Sequence, residues 1–221
     1  MPGLQQITGP QEEPVSLASA KTHLRLTSDD TTQDSLIQDL ISSAREQAEA
    51  MTNRKFVTQT WKLTLDAFPY AGRQSPAYWL NLPPLQQYTV YAFRSDTDAI
   101  RVPFPPLQSV TSIKYYDPAG VLQTIDPANY IVDSASEPAR IVPVPGYTWP
   151  TPQYRINAAE IAFVVGYGDW TMVPQCIKRW MLLRVGAMYE NREEVVVDHR
   201  ITSVDLAFVD SLLDPVRVLL G

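Results

Sequence analysis

Helix-period sequence stands at both ends of this 221-residue chain and encloses a long run of short β-period segments punctuated by proline. That order constrains the fold more than any single motif does. It predicts an α+β protein, in which N- and C-terminal helices form a helical body with an inserted small antiparallel β-sandwich or barrel-like domain. The boundaries read as a flexible N-terminal arm over 1–13, a helical body over 14–55 and 169–202, a β-rich insertion over 56–168, and a hydrophobic C-terminal segment over 203–221.

The arm mixes Pro, Gly and Gln without periodicity. After Pro14, Ser16 is placed to cap a short helix carrying Leu17, Ala20 and Leu24. A longer helix follows, with Thr31 or Thr32 as the expected cap. Its apolar stripe is Leu36, Ile37, Leu40, Ile41, Ala44, Ala48 and Met51, and Asp39, Arg45, Glu46 and Glu49 are expected outside. Plain intramolecular core explains such a stripe better than a subunit interface.

In the middle the period changes to two. Thr60 to Leu65 alternates, with Trp61, Leu63 and Leu65 on one face. Further strands are expected at 78–82, 100–102, 110–116, 121–125, 130–132, 140–142 and 159–165. Asp117-Pro118-Ala119-Gly120 supplies a fixed φ and a residue tolerant of positive φ, so its flanks should form a hairpin. The expected core is Trp61, Leu63, Ile113, Ile161 and Phe163, and burial of Trp61 would make its truncation cost ~3–5 kcal/mol. The aromatics Trp79, Tyr88, Tyr91, Tyr147, Trp149 and Tyr154 could form a sugar- or peptide-binding platform. Core filling and loop pinning is the better reading.

Gly166-Tyr167-Gly168 reads as a turn, and Pro174 then opens a helix whose apolar face is Ile177, Trp180, Met181, Val185 and Met188. Gly186 within it costs about 1 kcal/mol against Ala unless a neighbour packs closely there. The run from Glu190 to Asp198 ends the helix. The closing residues Val204, Leu206, Phe208, Leu212, Leu213, Val216, Leu219 and Leu220 need cover, either from the chain's own core or from a partner.

Catalytic signatures are absent from the sequence. His23 and His199 are its only histidines, far apart and without ligands at metal spacing, so no metal, cofactor or catalytic residue is assigned. No nucleophile elbow, zinc-protease helix, phosphate loop or dinucleotide fingerprint occurs. Asp29/Asp30 and Glu193/Glu194 read as solvated surface pairs. A net charge of −6 argues against affinity built on phosphate neutralisation. The single cysteine, Cys176, forms no internal disulfide, and no apolar run approaches the ~20 residues that span a bilayer. No signal peptide is indicated, so synthesis in a reducing cytoplasm is expected.

One ordered set of landmarks carries a resemblance. It comprises Pro14 to Ala18, His23-Leu24-Arg25, Ala50 to Arg54, Thr58 to Trp61 and Asp66 to Pro69. It continues with Pro105 to Val110, Ile113 to Asp117, Val165 to Asp169, Pro174 to Lys178 and Tyr189 to Glu193. Together these resemble the head–tail connector (adaptor, or head-completion) proteins of tailed bacteriophages and gene transfer agents, over about residues 14 to 194.

The resemblance implies a non-enzymatic virion protein of the neck, assembled as a dodecameric ring beneath the portal. Such a ring extends the DNA channel, docks the tail or a stopper protein, and lets duplex DNA pass without specific binding. It also implies that the C-terminal segment reaches the portal, which would cover Val204, Leu206, Phe208, Leu212, Leu213, Val216, Leu219 and Leu220. The principal alternative is a tail-tip or baseplate protein whose β-domain binds a receptor or glycan. A carbohydrate-active enzyme is a weaker third.

Overall fold

The computed structural model describes residues 3–69, 99–191 and 209–218. Mixed helices and antiparallel sheets make the chain α+β. It divides into two compact units, one built from 1–9 and 58–166, the other from 10–57 and 167–221.

The first unit holds eight strands among the described residues: β1 (Gly3–Thr8), β2 (Gln59–Leu65), β3 (Ile100–Val102), β4 (Leu107–Tyr116), β5 (Leu122–Thr124), β6 (Tyr130–Asp133), β7 (Ala139–Pro143) and β8 (Ala159–Val165). They form a five-stranded sheet in the order β1-β2-β8-β4-β5 and a three-stranded sheet in the order β3-β7-β6. The expected strand at 78–82 lies outside the described residues.

β8 is the central strand, and its sequence alternates. Ala159, Ile161, Phe163 and Val165 are buried while the residues between them are half-exposed. It pairs in unbroken register with β2, from Gln59 opposite Val165 to Leu65 opposite Ala159. Leu63, Leu65, Ile113, Ile161 and Phe163 from this sheet share one hydrophobic cluster with Ile100, Val102, Ala139 and Ile141 from the other.

The Asp117–Gly120 turn joins β4 to β5 as the sequence predicts. Asp117 N–H donates to the Val121 carbonyl at 2.9 Å, and Gly120 adopts φ +83°. The Asp117 carboxylate accepts from Gln123 Nε2 and from the Ala119 and Val121 amides at 2.9–3.0 Å. These bonds, that from Gln123 foremost, hold its carboxyl below the usual carboxylate range.

Two expectations for this unit change. Residues 3–8, read as part of a flexible arm, are an edge strand antiparallel to β2. The partner strand lies some sixty residues away, so local composition carried no sign of it. Trp61 is half-buried rather than core, its ring 4.9 Å from that of Phe104. With only part of the ring removed from water, Trp61→Ala should cost ~1.5–2.5 kcal/mol instead of the full truncation penalty. Urea unfolding would measure it.

The turn between β6 and β7 is held by Asp133. Its carboxylate accepts from Ser136 Oγ at 2.7 Å and from Arg140 Nη2 at 2.5 Å. The Ser136 hydroxyl first, then the Arg140 guanidinium, lowers its pKa to about 2. A carboxyl whose folded pKa is depressed favours the fold above its unfolded value near 3.8, and that contribution fades as pH falls toward 2. Carboxyl NMR titration should place the Asp133 midpoint near 2, and Arg140→Ala should move it upward.

The second unit holds α1 (Leu17–His23), α2 (Asp34–Thr52) and α3 (Gln175–Glu190). Ser16 caps α1 by accepting from Ser19 N–H at 3.2 Å. The N-cap of α2 is Gln33, not Thr31 or Thr32. The Asp30 carboxylate takes the Thr32 hydroxyl and amide at 2.6 and 3.0 Å, so that hydroxyl serves the preceding turn. Ile37, Ile41, Ala44 and Ala48 of α2 pack with Ile177, Trp180, Met181 and Val185 of α3.

Arg45 and Glu49, expected outside, are buried at 6% and 3% exposure. A Cβ at Gly186 would lie 3.4 Å from His23 Nε2, so that histidine packs against the bare helix backbone. Because His23 is only half-buried and can yield slightly, Gly186→Ala should gain ~0.5–1 kcal/mol from helix propensity, read as a raised thermal midpoint.

Candidate interaction surfaces

In the second unit the chain returns to its own core near the C-terminus. Leu213, Val216 and Val218 are buried, and Leu212 is half-buried against the same cluster. The segment is tied down through three bonds. Val218 N–H donates to the Thr52 carbonyl at 3.0 Å, Trp180 Nε1 donates to Asp210 Oδ1 at 3.1 Å, and Arg54 Nε donates to the Val216 carbonyl.

Leu213 and Val216, expected among the docking candidates, are buried in the core of this chain. A partner cannot cover side chains that α2 and α3 already enclose. Val204, Leu206, Phe208, Leu219 and Leu220 lie outside the described residues, and Leu212 keeps part of its surface.

The same unit presents a groove of about 450 Å³ lined by Glu12, Glu13, Val15, Leu17, Ile41 and Trp170 among others. Both acids are committed within the fold. Glu12 accepts from Trp170 N–H at 2.9 Å, and Glu13 accepts from Ser42 Oγ at 2.8 Å and Arg45 Nε at 2.9 Å. Trp170 and Met172 project from a 3-10 turn that Asp169 caps through the Thr171 amide and hydroxyl. Those bonds, the hydroxyl first, lower the Asp169 pKa. Lys178 Nζ lies 5.1 Å from the Trp170 ring centroid.

In the first unit one corner of the sheet is apolar and exposed. Val121 and Leu122 at the β4–β5 hairpin are 55% and 47% exposed, Ile156 is 77% exposed, and Tyr154 is fully exposed. The two segments adjoin, since Gln153 N–H donates to the Tyr116 carbonyl at 2.8 Å and the Arg155 guanidinium sits 4.1 Å over the Tyr116 ring.

Of the six aromatics weighed as a platform, Trp149 stacks on Phe68 with centroids 5.3 Å apart, and Tyr147 is half-buried against the core. Tyr154 departs from the core-filling reading, and Trp79, Tyr88 and Tyr91 lie outside the described residues. The exposed corner had one sequence signal, the apolar–polar–apolar triplet of Tyr154, Arg155 and Ile156 in a loop.

Among the described residues no group of three or more His, Cys, Asp or Glu could hold a metal ion, and no helix is long and apolar enough to cross a membrane. The side chains assembled here are suited to contact with other proteins.

Three solved chains share the fold along nearly all of its length. A chain from the neck of an empty gene transfer agent (GTA) particle computed with C6 symmetry is 19% identical, with a TM-score of 0.70 over 98% of this chain and 96% of that one. One from the virion of a native GTA particle is 18% identical, with a TM-score of 0.67 over 98% and 95%. One from the neck of a native GTA particle computed with C12 symmetry is 19% identical, with a TM-score of 0.63 over 98% and 96%.

Comparison with curated proteins returns no match. The family model of the phage gp6-like head-tail connector proteins matches residues 14–117, just under half of the chain, running from the start of α1 through β4. Through that segment the chain is similar to the phage gp6-like head-tail connector proteins.

Proposed function

We infer that this protein is a structural subunit of the neck of a tailed phage or phage-like particle. It forms a homo-oligomeric ring, a dodecamer, between portal and tail. In this reading its helical unit is the body of the ring subunit and its β-rich unit the inserted module. The ring extends the DNA channel and offers the tail or a stopper protein a docking surface. The observation that carries the reading is the family match over residues 14–117, extended by fold likeness along nearly the whole chain to chains of GTA necks.

A net charge of −6 suits a channel that must pass duplex DNA without gripping phosphates. The C-terminal segment docks on the portal through Val204, Leu206, Phe208, Leu219 and Leu220, with Leu213 and Val216 holding its base to the helical unit. The protein has no catalytic turnover.

Silencing the gene in a producing host should yield DNA-filled heads without tails, and supplying the protein in trans should restore them. Particle imaging should place the chain as a ring under the portal. Density at the tail tip would favour receptor or glycan binding instead. Hydrolysis of a glycan, peptide or nucleotide, lost on changing one carboxylate, would overturn the non-enzymatic reading.

A further inference from the structure

We propose that adjacent copies of this chain join edge to edge, the outer edge of β5 in one copy pairing with the outer edge of β1 in the next. The proposal rests on the ring reading above and assigns the contact between its subunits. Among the described residues β1 pairs with β2 alone and β5 with β4 alone, so both ends of the five-stranded sheet are open. Open edges usually carry charge or proline against association. Neither Gly3–Thr8 nor Leu122–Thr124 contains an ionisable residue or a proline.

The lengths agree as well. A bulge after Gln6 leaves Gly3–Gln6 regular, close to the three residues of β5. Exposed apolar side chains mark both ends of the sheet, Ile7 within β1 and Leu122 within β5, with Val121 just before β5 and Tyr154 and Ile156 in the segment that bonds the other side of β4 at Tyr116. Such a corner marks a protein contact, and an aromatic and an arginine at its centre are the residue types that dominate binding energy.

Direction decides what the contact builds. Each neighbouring pair in the order β1-β2-β8-β4-β5 is antiparallel, so β1 and β5 run the same way. Pairing β5 with the next copy's β1 in a cyclic repeat is therefore parallel and joins unlike edges. Unlike edges make a head-to-tail contact, which closes into a ring, whereas like edges would make a two-fold dimer. Among the described residues the outward backbone groups of β5 pair with no other strand. Asp117 N–H reaches Val121 O and Ile125 N–H reaches Ile113 O, so residues 121, 123 and 125 face β4 while 122 and 124 face outward.

The test uses assembled particles in a Cys176→Ser background, which removes the only cysteine. Gln5→Cys and Thr124→Cys are introduced together and bridged with a short bis-maleimide. A covalent ladder extending to the full ring is expected, at least ~10-fold stronger than from either single variant, since only unlike edges meet.

Rings visible by microscopy without a ladder would overturn the edge contact and leave the ring reading standing. Particles in which the chain forms no ring would overturn both. A ladder from one single variant would replace the head-to-tail contact with a two-fold one. Thr124→Pro, which deletes an outward N–H and keeps the hairpin bonds to β4, should abolish ring incorporation. If that variant incorporates normally, the proposal is wrong, and if it does not fold, the cross-link decides.

Discussion

Glu49→Ala should cost the helical unit about 3–5 kcal/mol, because it breaks a buried ion network rather than removing a surface charge. Glu49 is 3% exposed on α2, and its Oε2 receives Lys55 Nζ at 2.7 Å and Arg45 Nη1 at 3.5 Å. Its Oε1 accepts the Phe56 amide at 3.2 Å, which pins the chain where it leaves α2. Removing the carboxylate leaves Lys55 without this partner, Arg45 held chiefly by Glu13 at 2.9 Å, and a buried amide without its acceptor.

Glu49→Gln keeps an acceptor for Phe56 and loses the charge, so it should cost less, about 1.5–3 kcal/mol. The ordering Ala worse than Gln, read from urea unfolding of the helical unit, is the diagnostic result. Equal losses would mean that the charge alone sets the penalty, and that packing and the acceptor for Phe56 add nothing to it.

That network also shows what one sequence can and cannot reveal. Arg45 and Glu49 stand four apart on a helix, which from sequence reads as a solvated pair. Their burial comes from Glu13, Lys55 and the Phe56 backbone, groups no helical period connects to α2. Elements fixed by local chemistry were legible. The Asp-Pro-Ala-Gly hairpin, the Ser16 cap, the alternation of β8 and the apolar face of α3 each follow from spacing within a few residues.

Elements fixed by distant partners were not legible. β1 has no period of its own and exists because β2 offers it an edge, and Thr32 lost the cap of α2 to a competing bond with Asp30. The surfaces divide the same way. The hydrophobicity of the C-terminus was plain, but which of its residues face inward depends on Arg54 and Val216, 162 positions apart.

Leu213→Ala should destabilise the helical unit by about 2–5 kcal/mol, the range for truncating a buried leucine whose site cannot fully collapse. Leu213 has no exposed surface, and Val216 and Val218 follow it into cover at 9% and 6% exposure. Deleting residues 203–221 therefore does more than remove the proposed docking element. It uncovers the cluster around Trp180, takes away Asp210 from the indole, and leaves the Thr52 carbonyl without the Val218 amide.

The truncated chain should lose the thermal transition of its helical unit at temperatures where the full chain is folded, while the first unit, which contains none of these residues, keeps its own. Leu212→Ala, at a half-buried position, should cost under ~2 kcal/mol. A clean test of portal docking must therefore leave 209–218 intact and change Val204, Leu206 and Phe208 to polar residues, reading tail attachment beside an unchanged melting curve. If Leu213→Ala instead left the melting temperature untouched, the segment would be held away from the core in solution, and its whole apolar face would be available to a partner.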